Sequence, residues 1–96
     1  MAYVLVARMI AKDGEQDRAA QLVAELGAAS REEPGVVHYL AHRDPDDPRV
    51  FLMYEHYRDK AAFEVHGQTE HFTRLGPGAL FALMEERRRE FYVTID

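Results

Sequence analysis

His66 and Glu55 are the side chains in this sequence best suited to moving a proton. An imidazole whose ordinary pKa is about 6.5 can take a proton from a phenol or an enol and later return it. On a helix starting at Lys60, His66 shares a face with Ala62 and Phe63, at spacings of four and three, so it should point inward. Glu55 interrupts the apolar run around Phe51–Tyr57, and a carboxylate there is costly unless something meets it. The partner could be His66 or a substrate, or an arginine such as Arg8 or Arg43 in a purely structural pair. Tyr39, Tyr54, Tyr57 and Phe72 are candidates for the walls of an aromatic pocket, offering ring faces and phenol hydroxyls. The plainer alternatives are a histidine that serves a helix C-terminus and strand aromatics that serve only the core.

Other chemistries lack their parts. There is no cysteine, so disulfides, thiolate nucleophiles and cysteine metal sites are excluded. Ser30 is the sole serine and ends a helix, which gives nucleophilic catalysis little support. Gly76-Pro77-Gly78 has neither the lysine nor the preceding strand of a phosphate loop. His38 and His42 on one strand are about 13 Å apart, too far to share a metal. His66 and His71, five apart, would leave a continuous helix on different faces, so the sequence predicts no metal site. A net charge of -5 argues against nucleic acid as the main partner, and Arg87-Arg88-Arg89, flanked by glutamates, reads as a solvated face. No apolar run approaches the roughly 20 residues of a membrane span and no leader pattern opens the chain, so a cytosolic protein is expected.

The elements that must position these residues follow from periodicity. Residues 1–96 read as one domain. Tyr3 to Lys12 is short, apolar and β-branched, as a central strand would be. From Glu15 to about Arg31, Ala19, Leu22, Val23, Leu26 and Ala29 recur at helical spacing, and Glu33-Pro34-Gly35 ends that helix. Val36–Arg43 and Arg49–Tyr57 form a hairpin around the 44–48 loop, with Tyr39 expected near Met53 and Val37 near Glu55. Asp59 caps a helix that Gly67 stops, and Thr69 caps a further turn through Leu75. A third helical piece is expected from Ala79 to about Arg87, and a last strand from Phe91 to Ile95. The order β-α-β-β-α-β predicts a ferredoxin-like α+β fold, a four-stranded antiparallel sheet with helices on one face. Apolar residues stand on both sides of the third strand, so two sheets should pack face to face in a homodimer.

That order, the Glu33-Pro34-Gly35 exit, and Phe51-x-x-x-Glu55-x-Tyr57 leading into Ala61-Ala62-Phe63-x-x-His66-x-x-Thr69-x-His71-Phe72 resemble the antibiotic biosynthesis monooxygenase family. The resemblance spans nearly the whole chain and is most specific from Tyr54 to Phe72. It implies a dimeric α+β barrel in which each subunit holds a small cavity between sheet and helices. It also implies oxidation of quinols, anthrones or polyketide-like aromatics by O2 with neither flavin nor metal, hence no cofactor. The chain differs from the polyketide oxygenases and haem degraders in having neither Asn nor Trp. On this resemblance the expected function is a cofactor-independent monooxygenase of a small electron-rich aromatic. An isomerase of a small phosphorylated hydroxyketone, of the autoinducer-2 phosphate type, and a non-catalytic dimeric small-molecule-binding protein are the alternatives.

Overall fold

A computed structural model describes residues 1–96. Strand β1 (Tyr3–Ala11) leads into helix α1 (Gln16–Ser30), then a hairpin of β2 (Val36–Arg43) and β3 (Val50–Tyr57). Helices α2 (Lys60–Gly67) and α3 (Glu70–Leu75) follow, then a 3-10 turn (Leu80–Leu83) and strand β4 (Met84–Val93). The four strands form one antiparallel sheet in the order β2-β3-β1-β4. This is the ferredoxin-like arrangement, with the helices gathered on one face.

Strand alternation explains what that face holds. Leu5, Ala7, Met9 and Ala11 of β1 and Phe51, Met53, Glu55 and Tyr57 of β3 point toward the helices and are buried. Leu22, Val23 and Leu26 of α1 close over them, together with Leu75 and Leu80. On the opposite face Leu40, Leu52 and Tyr92 are exposed and no helix covers them. No helix is long and apolar enough to cross a membrane.

The caps fall where side-chain chemistry favours them. The Asp59 carboxylate accepts from the Ala62 amide at 2.8 Å, and the Thr69 hydroxyl accepts from the Phe72 amide at 3.2 Å. Between them Gly67-Gln68-Thr69 breaks the helical path, so α3 starts in a new direction.

Two expectations need correction. The segment from Ala79 to Arg87 is not a helix: it makes only the short 3-10 turn, and β4 begins at Met84 and ends before Ile95. Its run of Glu and Arg has good helical propensity, but a ladder from Tyr3↔Val93 to Ile10↔Glu86 along β1 overrides it. β4 is an edge strand, where charged side chains are at home. In the hairpin, Tyr39 pairs with Glu55 rather than Met53. The Asp44 carboxylate accepts from the amides of Asp46 and Asp47, and the Asp44 amide donates to the Val50 carbonyl at 2.9 Å, which moves the centre of the turn one residue along. Because the pairing slips by an even number of residues in all, each side chain keeps the face expected of it.

Candidate active site

Between the sheet and helices α2 and α3 lies a cavity of about 180 Å3 with a mostly apolar lining. An apolar cavity of about 150 Å3 is enough to hold benzene, so this one has room for an aromatic ring. Ala7, Met9 and Met53 form its floor, and Tyr39, Phe63, Phe72 and Phe81 stand around it. Two polar side chains from the protein interior reach it, His66 and Glu55.

His66 is only 2% exposed. Its ring sits 5.0 Å from Phe72 and 5.5 Å from both Tyr39 and Tyr57. Its partner is not Glu55: Nδ1 lies 2.7 Å from Oε2 of Glu33, in the segment between α1 and β2. A carboxylate oxygen only accepts, so Nδ1 carries the proton and donates. The other nitrogen, Nε2, is then a bare lone pair, and it is buried with no hydrogen-bond partner. Burial lowers the imidazole pKa below its usual value, against the raising effect of Glu33, which keeps the ring neutral at neutral pH. A neutral imidazole oriented by a carboxylate, with a free nitrogen at a cavity wall, is the arrangement of a general base.

Glu33 is reachable because of Gly35. A Cβ built on that glycine would stand 2.5 Å from Cβ of Ala62 on α2. The close approach carries the Glu33 segment against the helix that bears His66.

The same Glu33 oxygen accepts from Nε2 of His71 at 2.6 Å. This corrects the expectation that His66 and His71 face apart: the break at Gly67-Gln68-Thr69 cancels the angle a continuous helix would impose. Glu33 Oε2, His66 Nδ1 and His71 Nε2 lie within 4.8 Å of one another and form a two-histidine, one-carboxylate donor set. Separations of 2.6 and 2.7 Å are hydrogen-bond lengths. Atoms sharing a metal at about 2.1 Å would stand about 3 Å or more apart, so a metal would require the three to spread.

Glu55 is 4% exposed and has no arginine in salt-bridge contact, so neither Arg8 nor Arg43 neutralises it. The Tyr57 hydroxyl donates to its Oε1, and Tyr39 stands opposite it in the ladder. Burial pushes its carboxyl up to about 7, opposed by the hydroxyls of Tyr57 and Tyr39 and by the charge of Arg89. Burial and the Glu55 charge hold both tyrosines well above the usual tyrosine range, so they remain donors.

Tyr39 and Phe72 line the cavity as expected. Tyr57 is fully buried behind it and acts through Glu55. Tyr54 does not take part: it lies on the opposite sheet face, its hydroxyl 3.1 Å from Nδ1 of His56. Alternation forces this, since a residue beside Glu55 in a strand must point the other way. The sequence reading missed Glu33, His71 and Phe63; Arg87 and Arg89 are solvent-exposed as expected, but they also reach the cavity. The Gly67 stop and the Thr69 cap were the signals that could have brought His71 in.

The antibiotic biosynthesis monooxygenase family model matches residues 2–76, and the chain belongs to that family. The crystal structure of PA3566 from Pseudomonas aeruginosa is 32% identical, with a TM-score of 0.91 over 99% of this chain and 95% of that one. A crystallised antibiotic biosynthesis monooxygenase is 31% identical, with a TM-score of 0.90 over the full length of both chains. A Nitrosomonas europaea protein, 22% identical with a TM-score of 0.92 over 98% of this chain and 99% of that one, shares the fold. Uncharacterized protein sll1783 of Synechocystis sp. is 40% identical over 43 residues, which is 45% of this chain and 29% of that relative's length.

Proposed function

We propose that the protein is a cofactor-independent monooxygenase that oxidises a single-ring, electron-rich phenol such as a hydroquinone with O2. The observation that carries this reading is the buried, unpartnered Nε2 of His66 at the wall of an apolar, ring-sized cavity. Nε2 takes the proton of the substrate hydroxyl, and Glu33 stabilises the imidazolium through Nδ1. The anion then gives electrons to O2 and forms a C–O bond at the ring carbon beside the oxygen. Loss of the hydrogen on that carbon and cleavage of the O–O bond, with His66 returning its proton to the departing oxygen, leave a carbonyl. One oxygen atom stays on the ring, the other leaves as water, and the ring supplies every electron. Apolar walls shelter the anion from solvent. His71, half-buried on the far side of Glu33, offers the proton a way out. In this reading the protein works as a homodimer whose open sheet faces pack on each other, supported by the exposed Leu40, Leu52 and Tyr92.

The test is oxygen uptake by chelator-treated protein over a panel of hydroquinones, with His66→Ala beside it. Uptake above the uncatalysed rate should fall by about a hundredfold or more in the variant. If no hydroquinone is consumed, the oxygenase reading fails. Anaerobic deuterium exchange into small hydroxyketones would then support the isomerase.

A further inference from the structure

We propose that Arg87 and Arg89 form an anion subsite at the mouth of the cavity, and that the substrate is a phenol bearing a carboxylate. This deepens the proposed function and rests on the cavity being a substrate site. In the β1–β4 ladder Arg87 stands opposite Met9 and Arg89 opposite Ala7, both of which line the cavity. The two guanidinium groups therefore leave the strand on the cavity side, two residues apart. Neither has a carboxylate within 4.0 Å, so no ion pair occupies either guanidinium. The glutamates of the same strand do not compensate them: Glu86 and Glu90 pair with Ile10 and Val6 and take the other face, and Glu85 is 3.7 Å from Arg49.

Both arginines are held in place rather than left to wander. Arg87 lies 3.8 Å over the ring of Phe81, itself a cavity wall, and Arg89 lies 5.3 Å from the ring of Phe91. Stacking fixes a guanidinium plane and leaves its edge N–H groups free, the geometry that takes a carboxylate in bidentate fashion. Glu55 shares the cavity and feels the charge of Arg89, but it lies deeper and beyond 4.0 Å, so in a chain of net charge -5 the two exposed guanidinium groups still concentrate positive charge at the mouth. A ring fills the apolar interior, while a charged substituent is too costly to bury there and must stay at the mouth. Protection of the edge strand accounts for charge on β4, and Arg88, opposite Arg8, carries positive charge on the other face; Arg87 and Arg89 are the two cations that alternation aims at the cavity.

The experiment measures anaerobic binding of 2,5-dihydroxybenzoate and of hydroquinone by calorimetry, in the wild type, Arg87→Gln/Arg89→Gln, and Arg87→Lys/Arg89→Lys, with circular dichroism confirming the fold of each. The acid should bind about tenfold or more tightly than hydroquinone at low salt, and the preference should shrink as salt rises. The glutamine pair should abolish that preference by lowering affinity for the acid about tenfold more than affinity for hydroquinone, and the lysine pair should restore part of it. Equal affinities, a preference that survives the glutamine pair, or binding of neither ligand overturns the proposal. Oxygen uptake is read separately: acid preference without uptake on either ligand sinks the oxygenase and leaves the subsite, and uptake without acid preference does the reverse.

Discussion

Glu55 and His66 make opposite demands on pH from within one cavity. The Glu55 carboxyl sits at about 7 in the folded chain against an ordinary 4.5, so folding favours its protonated form. Its contribution to stability is full below about pH 4.5 and lost as pH rises through about 7, a change of about 3 kcal/mol at 1.36 kcal/mol per unit. His66 is lowered, so its contribution is full above its ordinary 6.5 and lost as pH falls through its folded value. Glu55→Gln removes the first effect alone. Relative to the wild type, the variant should gain stability between about pH 4.5 and 7 in denaturant titrations and level off above that, and a constant difference from pH 4.5 to 7 would show that Glu55 is not perturbed. Both residues were legible in the sequence because each breaks an apolar pattern. Their partners were not: Glu33 looked like punctuation before Pro34-Gly35, and only the packed chain brings it to His66.

At the scale of elements, the site depends on how α2 meets the segment ahead of β2. Gly35→Ala should cost about 1–3 kcal/mol, because the added methyl meets Ala62 and the two elements must part. Ala62→Gly opens space at the same contact. In urea unfolding the double variant should therefore lose less than the sum of the two single losses, and simple additivity would rule out the contact as the cause. Strands β1 to β3, the three helices, and the caps at Asp59 and Thr69 were readable from spacing and side-chain type. The start of β4 was not, since its charges favour a helix locally and only pairing with β1, distant in sequence, makes it a strand. That same misreading hid Arg87 and Arg89, because the direction of a side chain cannot be known before its element is.

For the whole molecule, the open sheet face is the feature most exposed to test. If two copies pack there, the protein should elute as a dimer with light scattering to match, and Leu52→Glu, at the centre of that face, should yield a folded monomer. A wild-type monomer at micromolar concentration would reject the pairing. The ladder has a further consequence for how such a chain can evolve. Within β3, Met53, Glu55 and Tyr57 serve the cavity while Leu52, Tyr54 and His56 serve the other face, in strict alternation. Point substitutions can retune either surface independently. Gain or loss of one codon inside the strand would exchange the two surfaces at once, so length changes should accumulate in the 44–49 loop and be purged from the strand beside it.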